Sequence, residues 1–126
     1  MRFFSILFIY LLILTAGALV QEPTSADQYS QRGIARFQKN DLDGAIADFT
    51  KVIEMNGKDQ EFCYYFRGLA FYRKGNSNQA IEDLSKAIAL KPDPRFFDDR
   101  GNLLARQGEL DRAMVDLNKA IELAPQ

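Results

Sequence analysis

An Arg-Gly pair occurs three times in this chain, as Arg32-Gly33, Arg67-Gly68 and Arg100-Gly101, at spacings of 35 and then 33 residues. Other residues keep the same frame. Four residues before each Gly stands an aromatic (Tyr29, Tyr64, Phe97), and twelve after it an Ala (Ala45, Ala80, Ala113), followed at once by Ile46, Ile81 or Met114. Three residues beyond the Ala comes an Asp (Asp48, Asp83, Asp116), then a bulky apolar residue (Phe49, Leu84, Leu117). Later slots hold Val52, Ala87 and Ala120, and the copies end on Gly57, Pro92 and Pro125. Repetition at this period within one chain marks an array of like structural units.

Each unit reads as a helical hairpin. In the second copy Phe62, Phe66, Leu69 and Tyr72 follow helical spacing, Gly75-Asn76 breaks the chain, and Ala80, Ile81, Leu84, Ala87, Ile88 and Leu90 resume it. Asp41 and Asn76 suit the N-caps of the second helices, and Asp93-Pro94 suits a cap and first turn. Gly68 and Ala80 are small where two helices approach closely, so a bulky residue at Ala80 or Ala113 should cost about 1 to 3 kcal/mol by overpacking. The Arg before each Gly lies sixteen residues from the recurring Asp, as in Arg67 and Asp83, which places them opposite one another in an antiparallel hairpin. A partly buried ion pair within each repeat is expected, serving register more than net stability.

These spacings resemble the tetratricopeptide repeat, with its pattern W-x-x-L-G-x-x-Y, then A-x-x-x-F, then P, and its 34-residue period. The resemblance covers about residues 26 to 126, with Tyr or Phe at the Trp slot and Arg at the Leu slot. The first copy is the most divergent, holding Arg36 and Gly57 at the Tyr and Pro slots. It implies an all-α fold, a right-handed superhelical array of three helix-turn-helix hairpins over 26–60, 61–93 and 94–126.

Ahead of the array, sixteen of the first twenty residues are hydrophobic. Met1-Arg2 followed by an apolar run from Phe3 to Leu14 and small residues at Ala16 and Ala18 reads as a signal peptide over 1–18, cut after Ala18. The rival reading is an uncleaved anchor to residue 20, which would tether the repeats to a membrane. Both place the repeats outside the cytoplasm, periplasmic, secreted or membrane-anchored, because Arg2 is the last basic residue before Arg32. Residues 19–27 form a polar connector.

The residue inventory argues against chemistry. The sequence has no His and one Cys, so it lacks an imidazole base, a disulfide framework and the usual His/Cys zinc set. Sixteen basic against seventeen acidic residues provide no footprint for nucleic acid. Cys63 reads as a packed thiol and Asp98-Asp99 as solvated carboxylates. No cofactor, metal or catalytic site is expected.

A non-catalytic module for a protein or peptide partner is the stronger expectation, because stacked hairpins curve and leave a groove lined by their first helices. The resemblance places Phe37 of the first copy in that groove, and Phe62, Tyr65, Phe66, Leu69, Tyr72 and Arg73 of the second. Arg95, Asn102 and Arg106 follow from the third. Tyr, Phe and Arg are favoured in interface hot spots. Of the slots that form a carboxylate clamp in related chaperone adaptors, here Ser30, Ile34, Phe66, Arg95 and Asp99, only Arg95 fits, so that clamp is not expected. The alternative is a structural protein whose repeats serve oligomerisation without a peptide ligand. Val115 replaces Ala47 and Glu82 of the earlier copies and no further helix follows Pro125, so self-association or helix docking on the last helix is expected.

Overall fold

The computed structural model describes residues 21–125. The leader expected over 1–20 lies outside the described residues. Six helices follow one another: α1 (Ala26–Gln38), α2 (Leu42–Glu54), α3 (Gln60–Arg73), α4 (Ser77–Leu90), α5 (Pro94–Arg106) and α6 (Leu110–Leu123). Among the described residues there is no strand, and no helix is long and apolar enough to cross a membrane. Helices pack in consecutive pairs, with α2 against α3 and α4 against α5 joining the pairs. The result is an all-α array of hairpins.

Local chemistry sets the breaks. Within each hairpin the turn carries a left-handed residue in one recurring slot: Asn40 (φ 63°), Gly75 (φ 87°) and Gly108 (φ 82°). Gly suits that conformation because it has no Cβ, and Asn tolerates it. Between hairpins the first connection runs from residue 55 to 59 and the second only from 91 to 93, which accounts for the unequal spacings of 35 and 33. The longer connection holds two left-handed residues, Asn56 and Asp59. Gly57 follows Asn56, and a Cβ there would stand 2.7 Å from Val52 Cγ1 and 2.8 Å from Ala26 Cβ. Close packing therefore excludes the Pro that ends the other two copies.

Caps agree in part with expectation. The Asp41 carboxylate accepts from the Gly44 amide at 3.1 Å, and that of Asp93 from the Arg95 amide at 2.9 Å with Pro94 in the first turn. Asn76 holds the N-cap position of α4, but its side chain makes no capping bond. At α1 a reciprocal capping box that the repeat frame did not signal joins Ser25 and Gln28.

The hairpins close on small residues. A Cβ on Gly68 would lie 3.2 Å from the Ala80 carbonyl, and one on Gly33 would lie 3.0 Å from the Phe49 ring. Ala45 and Ala80 are fully buried. Larger side chains in these slots would hold the helices apart.

All three expected ion pairs are present with one geometry. Arg32, Arg67 and Arg100 each donate through Nε and Nη2 to both oxygens of Asp48, Asp83 and Asp116, at 2.7 to 2.9 Å. The three carboxylates are 2 to 3% exposed. The recurring aromatic also finds its role here, since Tyr29, Tyr64 and Phe97 lie under the guanidinium of their own repeat, with ring centroids 5.5, 5.4 and 5.9 Å away. That stacking and the two-pronged bond explain why Arg stands at the Leu slot.

The remaining nitrogen of each Arg reaches backwards. Arg67 Nη1 donates to Thr50 Oγ1 at 2.9 Å, and Arg100 Nη1 donates to Ser85 Oγ at the same distance. Thr50 and Ser85 stand two residues after the recurring Asp of the preceding repeat. In the first repeat the equivalent nitrogen, Arg32 Nη1, donates instead to Glu22 at 2.8 Å. One side chain thus sets register within a hairpin and between hairpins. Among the described residues, no buried side-chain polar atom lacks a hydrogen-bond partner.

Candidate functional site

Leu69 and Tyr72 on α3 face Asp99, Asn102, Leu103, Ala105 and Arg106 on α5 across a groove of about 550 Å³. Two hydrogen bonds tie its walls. Tyr65 Oη donates to Asp99 Oδ2 at 2.8 Å, and Arg106 Nη1 donates to Tyr72 Oη. Both pairs are 34 residues apart, one more than the 33-residue offset between the second and third copies, so each joins neighbouring slots on stacked first helices. The Arg106 guanidinium also lies 5.7 Å from the Tyr72 ring centre. A tyrosine suits this place because its ring packs on apolar neighbours while its hydroxyl stays paired at the rim.

Burial raises the Asp99 carboxyl above the usual range, and the bond from Tyr65 opposes that rise. The Tyr65 hydroxyl is itself pushed up, by burial first and then by the Asp99 carboxylate. The Tyr65 hydroxyl thus keeps its proton and is the donor of the pair. That pair is a brace between helices.

The ten residues assigned to the groove divide into floor, braces and open rim. Leu69, Tyr72, Asn102 and Arg106 line the groove, and Asn102 and Arg106 are exposed. Phe37 departs from expectation, because it is buried at 7% exposure. It is covered by Phe66, whose ring centre is 5.7 Å away, and by the Arg73 guanidinium at 4.1 Å. Phe66 stacks on Phe49 at 5.9 Å and belongs to the packing between the first two hairpins. Tyr65 lies 4.7 Å from Phe96 and 5.3 Å from Phe66 between ring centres, so it is half-buried. Phe62 packs edge-on against Phe96 at 5.8 Å. Arg95 is engaged with its own N-cap, donating to both oxygens of Asp93 at 2.9 and 2.7 Å.

The acidic pair does not form a shared carboxylate site. Asp98 accepts from Asn102 Nδ2 at 3.3 Å, while Asp99 accepts from Tyr65. Cys63 is buried in the core around Phe49 and Val52, and burial pushes its thiol up to about 11, which keeps it protonated and a poor nucleophile. Among the described residues no group of three His, Cys, Asp or Glu side chains could hold a metal ion.

Two family models described as Tetratricopeptide repeat match the chain, one over residues 62–94 and the other over 26–59 and 95–126. No curated protein matches the sequence. Solved structures do. "Crystal structure of MamA" is similar with a TM-score of 0.74 and 31% identity, covering 79% of this chain and 58% of that one. The chain thus spans little more than half the length of that relative. "Second TPR of Spaghetti (RPAP3) bound to HSP90 peptide" is similar with a TM-score of 0.73 and 25% identity, covering 79% of this chain and 87% of that one. PcrH in complex with the chaperone binding region of PopB shares the fold, with a TM-score of 0.73, 20% identity, and coverage of 82% and 86%. The matches span nearly all of the described residues, and the chain belongs to the tetratricopeptide repeat family, whose members are in general non-catalytic protein-interaction modules.

Proposed function

We propose that this protein binds a peptide segment of a protein partner in the groove between α3 and α5. The carrying observation is the rim made by Tyr72, Asn102 and Arg106 above the apolar floor of Leu69 and Leu103. Such a site offers backbone-directed donors and acceptors around a place for one apolar side chain, the usual make-up of a selective pocket. The RPAP3 repeat domain, whose printed description has it bound to an HSP90 peptide, is similar over most of its length and supports a peptide as the ligand class. The clamp chemistry of carboxylate-binding adaptors is not part of the reading, since Arg95 is held by Asp93.

Export completes the reading. The leader directs the repeats across a membrane, and the ligand belongs to an assembly outside the cytoplasm. N-terminal sequencing of the protein from its native host should begin at Leu19; retention of Met1 selects the anchor instead.

The groove is tested with a displayed library of random short peptides. Enriched peptides should bind saturably, and Arg73→Glu, Asn102→Ala and Arg106→Glu combined should abolish binding while the chain still unfolds cooperatively, its stability lowered only by loss of the Arg106–Tyr72 bond and the Arg73–Phe37 contact at the exposed rim. Undiminished binding by that variant would rule the groove out.

A further inference from the structure

Charge is segregated along the first helices of the repeats. Their acidic residues, Asp27, Glu61, Asp98 and Asp99, stand in the N-terminal halves, and there is no carboxylate between residues 28 and 40, 62 and 76, or 100 and 108. Those stretches hold basic residues instead, in a chain whose net charge is -1. The C-terminal turns of α3 and α5 therefore make one end of the groove cationic.

Two arginines at that end differ from the others. Among the described residues Arg32, Arg36, Arg67, Arg95, Arg100 and Arg112 each pair with a carboxylate, whereas Arg73 and Arg106 pair with none. Both stand five residues after the recurring Gly, and each lies over the aromatic residue that stands four after the Gly of the preceding repeat. Arg73 is 4.1 Å from the Phe37 ring centre and Arg106 is 5.7 Å from that of Tyr72, while both side chains stay exposed. A cation in the last turn also favours its own helix end, but that effect fixes no orientation. Stacking holds the two guanidiniums at one place on successive helices. The molecule itself shows what a stacked guanidinium accepts, because Arg32, Arg67 and Arg100 lie over an aromatic ring and grip both oxygens of an aspartate. Arg73 and Arg106 repeat the stack without the carboxylate.

We propose that the partner supplies it: Arg73 and Arg106 bind two acidic side chains, Asp or Glu, within an extended peptide segment of the partner protein. This rests on the groove reading and names the chemistry of its ligand. Charge complementarity selects the acid, and the planar fork of arginine suits a two-pronged bond to it. Packed neighbouring helices place the two guanidiniums roughly 10 Å apart. A polyproline II chain returns to the same face every three residues, a rise of about 9 Å, so acids at positions i and i+3 meet both. Neither arginine stands in a slot of the carboxylate clamp, so the segment is internal and needs no free C-terminus.

Random peptides displayed through a C-terminal fusion, which offer no free terminal carboxylate, are selected against the purified full chain. Enriched sequences should carry Asp or Glu at i and i+3. One of them, synthesised with an amidated C-terminus, should lose about tenfold in affinity for each acid changed to its amide. Arg106→Gln in the protein should cost a similar factor, and nothing further against the peptide that already lacks the matching acid. Selection against the chain carrying Arg73→Glu and Arg106→Glu should turn to Lys and Arg at the same spacing, a gain that a misfolded variant could not give. Unchanged affinity after the acid-to-amide changes overturns the proposal. Neutral peptides that the Arg73, Asn102, Arg106 variant fails to bind would overturn it and leave the groove standing, whereas acidic peptides bound undiminished by that variant would overturn both.

Discussion

The first and last repeats share a plan and differ in how they are finished. In the first, Asp48 is held by Arg36 Nη1 at 3.0 Å as well as by Arg32, and the free end of Arg32 is occupied by Glu22. The first helix shows polar Gln28 and Gln31 in the slots that α3 and α5 use for stacking. In the last, among the described residues Asp116 is paired with Arg100 alone of the arginines, and α6 shows Met114 and Ile121. The two repeats thus differ in chemistry: the first is finished by charge pairs, whereas the last shows apolar side chains on α6.

The largest expected difference lies in the ion pairs. Arg67→Ala strands a carboxylate that is almost fully buried, so it should destabilise by about 3 to 5 kcal/mol in urea unfolding. Arg32→Ala should cost less than half as much, since Arg36 still holds Asp48. Equal losses would break the comparison. The double variant Arg67→Met with Asp83→Leu should recover stability relative to either single change, because no uncompensated charge is left.

Next come matched substitutions in one slot. Ile53→Glu puts a charge into the packing between the first two hairpins and should cost about 2 to 3 kcal/mol. Ile121→Glu, in the equivalent slot, should stay within about 0.5 kcal/mol. A large loss at Ile121 in the isolated protein would mean that α6 is covered by something else.

The smallest effect is in titration. Asp99 should titrate above the usual carboxylate range, and Tyr65→Phe should raise it further by removing the bond that favours the charged form. A folded-state value above the unfolded one means that this group's contribution to stability is greatest below the unfolded value and is lost as pH rises through the folded one. NMR titration of the side-chain carboxyl measures the shift directly.

Much of this was legible in the sequence. The helical hairpins, the close approach at Gly68 and Ala80, and the three Arg-Asp pairs all follow from residues kept in frame. Repetition is why: a contact made three times leaves three copies of its signature. What escaped was made once, or made between frames. Phe37 looked like a groove residue by position, yet Arg73 and Phe66 bury it; the first contact recurs as Arg106 over Tyr72 but runs between frames, and the second is made once. The Tyr65–Asp99 brace spans repeats and joins slots one residue out of frame, so it left no recurring trace. The stacking of Tyr29, Tyr64 and Phe97 on arginine was visible as recurrence without a stated cause.

The backward bond from each arginine also governs how the molecule comes apart. Opening the second hairpin releases Thr50, and opening the third releases Ser85, so no unit melts without changing its neighbour's hydrogen bonding. Nearest-neighbour coupling of this sort makes a row of marginal hairpins unfold as one cooperative body rather than in three steps. Thr50→Val and Ser85→Ala would loosen that coupling while leaving every hairpin's own ion pair intact, and the unfolding transition should broaden accordingly.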